Sequence, residues 1–477
     1  MMQEFADAGL NDLARRVHED LKVIAHPRAA WLTPLPAVDG GTAYDVVIVG
    51  AGQSGLATAF ALLRSQVRNI LVLDKAPRDR EGPWRTYARM DTLRSPKDYT
   101  GPDLDIPSLT YQSYHEARFG KESWQQLNLI PKELWADYLL WYRDVLQLPV
   151  SNERDVVDIW PEGDLIALSA HGNDGAQETL FARKVVLATG QEGLGDWILP
   201  QPLELLPPHL RAVTCDPVDF AKLEGKTVAV IGAGASALDN AATALEAGAA
   251  RVLVLCRRAE PQVVQPYRWL TFRGFLRHLC DLDDAWRWRF MHRILELREG
   301  FPQATYDRCA RHANFAFVRH AHIASAGAID ERAHLETTAG SIVADFVIAA
   351  TGIDMDFSRR PELARFAGNI ATWADRYTPP EEERSERLAR FPYLADDYAL
   401  TEKVPGQTPW LRNIHLFSIA STMSFGPSGS SINAMTTAVP KLVYGLSRGL
   451  FREDVAKHWQ ALQAYDVPQA VVPKATA

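Results

Sequence analysis

Residues 44–49, YDVVIV, are an apolar run rich in β-branched side chains; a glycine turn, the small-residue segment SGLATAFALLRS and a second apolar run, NILVLDK, follow. Short apolar runs separated by one helix-period segment predict the strand, helix and strand that open a parallel β-sheet. The succession recurs at 226–258, where KTVAVIGAGASALDNAATAL leads into RVLVLCRR. Two more buried-strand runs, KVVLATG (184–190) and DFVIAATGID (345–354), both end in Ala-Thr-Gly. The repeat predicts that the chain re-enters its first domain at the second of them. The tail adds NIHLFSIAS, another buried-strand run, and FGPSGSSINAMTTAVPKLVYGL, a glycine turn entering a helix. In front lies a helix-like segment, FADAGLNDLARRVHEDLKVIAH, closed by the proline-broken HPRAAWLTPLPAVDGG.

The glycines give the repeated unit its chemistry. Gly50, Gly52 and Gly55 make GxGxxG directly after a strand. The first glycine permits the tight turn, the second lets backbone approach a pyrophosphate, and the third lets helix and strand pack closely. Asp74, with Lys75 after it, closes the second strand where a carboxylate can accept ribose hydroxyls. The downstream copy keeps Gly232 and Gly234, with Ser236 and then Ala237 at the third glycine position. Its second strand ends in Arg257 and Arg258. A carboxylate there would repel a 2′-phosphate, whereas a guanidinium binds one through charge-assisted hydrogen bonds. The pattern points to NADPH at the second unit and to an unphosphorylated ribose, as in FAD, at the first. Arg257 is the favoured contact, counted as the strand-end position matching Asp74.

These units predict an α/β protein of two Rossmann-like dinucleotide-binding domains, the NADPH domain inserted into the FAD domain. The expected boundaries are an N-terminal helical extension at 1–42, the FAD-binding domain at 43–205 and 343–477, and the insertion at 206–342. Thr189, Gly190, Thr351 and Gly352, in the two Ala-Thr-Gly endings, join the expected cofactor contacts. So do Gly429 and Asn433 in GPSGSSINAM, where the turn aims unpaired N–H groups forward; Ser430 or Ser431 would equally make a plain helix cap.

Composition narrows the partners. A formal net charge of −8 argues against a general nucleic-acid binder. The four cysteines, at 215, 256, 280 and 309, have neither CxxC nor metal-ligand spacing, which argues against a disulfide framework, a zinc site or a dithiol redox centre. The histidines show no HExxH, and no metal is expected. No apolar run approaches the roughly 20 residues that cross a bilayer, so the expected location is the cytoplasm, without a membrane partner. Self-association into a homo-oligomer stays open.

On these motifs the chain resembles the two-dinucleotide-binding flavoproteins and, among them, the class B flavoprotein monooxygenases: flavin-containing, Baeyer–Villiger and N-hydroxylating enzymes. The resemblance spans roughly residues 44–450 and includes EGPW (81–84), where relatives carry a Gly-Gly-Thr-Trp-like turn and where Trp84 would meet the flavin. One motif departs: where the family has F-x-G-x-x-x-H-S/T, PPHLRAVT places Val213 at the histidine and keeps Thr214. The resemblance implies FAD, NADPH, dioxygen and a small nucleophilic substrate, first an amine or amino-acid nitrogen, oxygenated through a C4a-(hydro)peroxyflavin in a water-excluding site. Baeyer–Villiger or sulfur oxygenation is the alternative within the class; a flavin-dependent NADPH reductase without oxygen insertion is the alternative outside it. Arg94, Lys97 and Arg268, cations beside aromatics, are the candidate catalytic residues; each reads equally well as a solvated or phosphate-contacting side chain.

Overall fold

The structure, a computed structural model, describes residues 2–24, 27–429 and 431–471. The first apolar run becomes the strand Thr42–Val49, flanked in parallel by Ile70–Leu73 and by the end of Gln177–Leu187. Helices cover both faces of such a strand, so Val46, Val47 and Ile48 are all fully buried and the run is continuous rather than alternating. The eight-stranded sheet is extended by the antiparallel strands Arg154–Glu162 and Leu165–Gly172 and, beside Val185, by the returning strand Ile414–Leu416.

A second, five-stranded parallel sheet runs in the order Phe315–Val318, Arg251–Leu255, Thr227–Ile231, Phe346–Ala349, Arg211–Val213. This corrects the expected boundary at 343. The strand ending in the second Ala-Thr-Gly pairs with Thr227–Ile231, so it completes the second unit rather than resuming the first. Each parallel unit needs its own third strand against the first, and the repeated ending reports that need. The chain crosses back just afterwards, where Ile353–Met355 pairs antiparallel with Gly195–Trp197. Outgoing and returning crossings are thus zipped together.

A second correction concerns residues 266–297, expected within the inserted domain. Leu270, Phe275, Leu279, Trp288, Met291 and Ile294 bury themselves in the first domain's core, not in that of the second sheet. Thr437 Oγ1, on the long helix Met435–Glu453, donates to the Leu276 carbonyl at 3.3 Å. The N-terminal extension folds as the helix Met2–Val23, and Leu13 and Val17 seal it against the same core. The last two residues of the expected helix, Ala25 and His26, lie outside the described residues. Among the described residues, no helix is long and apolar enough to cross a membrane.

One buried ion cluster ties the returning chain to the first sheet. Arg183, 2 % exposed, reaches Asp454 at 3.1 Å, Glu453 at 3.0 Å and Asp45 at 3.5 Å. Burial pushes the Asp454 carboxyl up, but Lys457 and Arg183 outweigh it and hold the group below the usual carboxylate range. Removing the cation strips buried Asp45 of its guanidinium and leaves Asp454 to Lys457 alone. Arg183→Met is therefore expected to lose about 3–5 kcal/mol in denaturant unfolding at neutral pH. A depressed carboxylate contributes stability above its unfolded pKa and loses it as pH falls through its folded one, so the gap between wild type and variant should narrow in acid.

Candidate active site

Val49 pairs with Leu73 on one side and Leu187 on the other, at the flush ends of three parallel strands, so the loops beyond them converge. The cleft they enclose has a volume of about 350 Å³ and is lined by Gly50, Gly52, Asp74, Lys75, Trp84, Thr189, Gly190 and Gly429 among others. Gly50 has φ +106°, and a Cβ there would stand 2.5 Å from the Ala188 carbonyl oxygen. At Gly55 a Cβ would meet the Gly50 oxygen at 1.8 Å. Gly52 differs: a Cβ there meets no protein atom within 4 Å. The helix Gln53–Arg64 starts on Gly52 in extended conformation with no side-chain cap, which leaves its first N–H groups free for an anion. Asp74 accepts hydrogen bonds from the Ala51 N–H at 2.7 Å and the Ala76 N–H at 2.8 Å. Burial raises its pKa, with those two donors pulling the other way. The carboxylate therefore fixes the glycine turn to the second strand while still facing the cleft. Lys75 reaches across to Glu192.

Gly429 closes the far wall. A Cβ would lie 2.2 Å from the Ser418 carbonyl oxygen, and Ser54 Oγ donates to the Gly429 carbonyl at 3.5 Å. The turn does not run straight into a helix as expected: Met435–Glu453 starts after Ala434, and Asn433, outside the cleft lining, accepts a hydrogen bond from Ser431 Oγ. Ser430, the other candidate cap, lies outside the described residues.

The second unit repeats the geometry. Gly232 has φ +121°, and a Cβ would stand 2.4 Å from the Ala350 oxygen; at Gly234 nothing lies within 4 Å. The helix Ala235–Glu246 also starts uncapped, Ala237 is fully buried, and the Ser236 carbonyl accepts from Asn240. Two expectations are corrected. Gly50 N–H bonds to Leu73 O as Gly232 N–H bonds to Leu255 O, so the residue matching Asp74 is Cys256, buried, and not Arg257. Arg257 and Arg258 follow it, exposed, and have no ion-pair or hydrogen-bond partner for their guanidiniums among the described residues. Thr351 and Gly352 belong to this unit and its crossing, not to the first cleft: Thr351 Oγ1 donates to Ile198 O, and the Ile198 N–H to Gly352 O at 2.9 Å.

The expected catalytic cations are also corrected. Arg94 donates to Asp239 in the second domain at 2.7 Å. Lys97 donates to the Trp124 and Leu127 carbonyls at 2.7 and 2.6 Å and sits over the Trp124 ring, which occupies it structurally. Arg268 is exposed on the short helix Pro266–Trp269, and none of the three lines the cleft. Lining residues that the sequence pattern did not mark include Arg80, Tyr87, Arg360 and Glu362. Arg360 forks onto Glu362, which is buried, at 3.0 and 2.9 Å, and the Tyr87 ring meets Trp197 edge-on, with burial raising its phenol pKa. They come from loops between elements and carry no spacing that would announce them. Among the described residues, no group of three or more histidine, cysteine, aspartate and glutamate side chains could hold a metal ion, and the four cysteines are free thiols.

The glycines separate fold from ligand. Gly52→Val should stay folded, with a circular dichroism melt close to wild type, yet purify without flavin absorbance, because no protein atom lies in that space and the expected pyrophosphate would need it. Gly55→Val should fail to give soluble protein, since its side chain must displace the Gly50 backbone. Full flavin retention in Gly52→Val would show the cleft misread.

Comparison with known proteins agrees with this fold. The family described as pyridine nucleotide-disulphide oxidoreductase matches residues 47–273. The chain is 38% identical over 465 residues to the FAD-dependent urate hydroxylase of Xanthomonas campestris pv. campestris, covering 97% of both chains. Among solved structures, the reduced ornithine hydroxylase of Pseudomonas aeruginosa superposes with a TM-score of 0.66 at 17% identity, over 86% of this chain and 100% of that one. The FAD-bound cadaverine monooxygenase of Erwinia amylovora gives 0.63 at 14%, over 92% and 99%. At those identities the structures speak for the fold, whereas the near-full-length relative speaks for descent. With two glycine-turn units, one nested in the other, and four unpaired thiols, the chain belongs to the class B-like flavoprotein monooxygenases.

Proposed function

We propose that the protein is an NADPH-dependent, FAD-containing monooxygenase acting on urate or a closely related electron-rich oxopurine. The observation that carries the substrate class is the 38% identity, sustained over 97% of both chains, to a urate hydroxylase. The first cleft fits FAD: Gly52 leaves room for the pyrophosphate, the uncapped helix behind it offers N–H groups, and Asp74 faces the ribose position. The second unit fits NADPH, with the same uncapped helix start at Gly234 and with Arg257 and Arg258 beyond the strand end. Bound FAD would supply the electron transfer and oxygen activation. The chain's own share is to hold the two nucleotides, to wall the cleft with Trp84 and Tyr87 and so exclude water, and to present Gly429 to the ring end. Amine nitrogen, the first expectation from sequence, becomes the contrasting substrate class.

In the oxygen electrode, urate should be lost in step with NADPH and dioxygen, one of each and with one proton, giving hydroxylated urate, NADP⁺ and water. Ornithine, lysine and cadaverine should leave NADPH oxidation at its basal rate. Stimulation by an amine with formation of its hydroxylamine would overturn the urate assignment, and hydrogen peroxide in place of product would favour a reductase.

Cofactor choice gives a second test. A charge-assisted contact to the 2′-phosphate is worth about 1.5–3 kcal/mol, and about 1.4 kcal/mol is tenfold in binding. Kinetics should therefore favour NADPH over NADH by roughly one to two orders of magnitude in KM. Arg257→Ala and Arg258→Ala, singly and together, should raise KM for NADPH while leaving that for NADH nearly unchanged. Equal use of both cofactors by the wild type would remove the assignment.

A further inference from the structure

Residues 85–94 leave the first cleft, where Thr86 and Tyr87 line the wall, and run onto the second domain. Their contacts there are charged and specific. Arg94 Nη2 donates to Asp239 Oδ2 at 2.7 Å. Arg308 reaches Asp91 at 3.1 Å, the Arg89 carbonyl at 3.2 Å, Glu246 at 2.7 Å and, at 3.6 Å, the second oxygen of Asp239. Arg89 lies over the Phe220 ring at 5.3 Å. Asp239 and Glu246 both belong to the helix Ala235–Glu246, the one whose uncapped start faces the second nucleotide position.

The Asp239 side chain is 4 % exposed and that of Arg94 35 %. A carboxylate so deeply buried needs a partner, and burial already pushes its pKa up against Arg94 and Arg308. Arg94 comes from the other domain. The pair can therefore form only when the two domains stand in one relative position, which an ion pair within a single domain would not enforce.

We propose that Arg94 is a positioning residue: with Asp239 and Arg308 it forms an interdomain latch that sets the helix holding the second nucleotide against the wall of the first cleft. The inference rests on the reading of the two clefts as FAD and NADPH sites. Hydride transfer requires the nicotinamide to meet the flavin within a narrow range, and a misplacement of about 1 Å can cost on the order of 100-fold in rate. The latch joins the two scaffolds whose spacing decides that approach.

The test uses FAD-loaded Arg94→Gln, Asp239→Asn and Arg94→Lys proteins. Hydrogen exchange is measured without NADPH, and flavin reduction by NADPH is followed in anaerobic stopped flow. Amides of 85–94 and 235–246 should exchange faster in Arg94→Gln and Asp239→Asn. Their limiting rate of flavin reduction should fall about 10- to 100-fold, with FAD content and NADPH dissociation constant little changed, and Arg94→Lys should recover most of the loss. Because Arg94 is partly exposed, its variants keep the test alive if Asp239→Asn does not fold. Unchanged exchange in Arg94→Gln, or a full limiting rate despite faster exchange, would overturn the latch. Failure of the wild type to oxidise NADPH would instead sink the functional reading, and the exchange arm would still decide whether the latch exists.

Discussion

Two carbonyl oxygens, those of Ala188 and Ala350, stand where a side chain on Gly50 or Gly232 would have to be. Each contact presses the first strand's turn against the end of the third, so the backbone must bend sharply with positive φ, and the following helix must begin at the cleft with its N–H groups unspent. The proposed nucleotide sites are consequences of that crowding. In the first unit it is reinforced from the second strand, where Asp74 holds the turn by one backbone N–H and its own loop by another.

The same contact explains what the sequence showed and where it misled. The glycine turns were legible because backbone geometry admits almost no other residue there, and the apolar runs because parallel strands are buried on both faces. The two Ala-Thr-Gly endings were equally visible, but a repeat does not say which sheet it completes. Only the pairing of Val228–Ile231 with Phe346–Ala349 does, and pairing across more than a hundred residues leaves no local mark. The excursion at 266–297 misled for a related reason: Phe275, Leu279 and Trp288 read as core in any location, and their partners lie far along the chain.

Charged residues were the least legible. Arg94, Lys97 and Arg268 look alike in sequence, as cations among aromatics, yet the fold gives one a carboxylate in the other domain, one a pair of carbonyls and one open solvent. An arginine's reach exceeds the spacing between elements, so its partner is decided by tertiary structure rather than by neighbours in the chain. The cleft residues Arg360 and Glu362 make the same point from the other side, since they pair with each other two positions apart and reach the cleft only because the chain has already crossed back.

The two units are close to superimposable in plan, and their chemical difference is concentrated at one register position. In the first, the strand-end residue is Asp74, a carboxylate that faces the cleft and excludes a second negative charge. In the second it is Cys256, buried, whose backbone N–H donates to the Val318 carbonyl and whose carbonyl accepts from the Ala321 N–H. Nothing acidic stands at that point, and the next two residues are arginines whose charge no described carboxylate neutralises. Had an acid been kept there, it would have drawn the arginines into ion pairs and cancelled the field. On the proposed assignment, the absent carboxylate and the free cations are two parts of one electrostatic difference, which would separate a site for a ribose hydroxyl from one suited to a ribose phosphate.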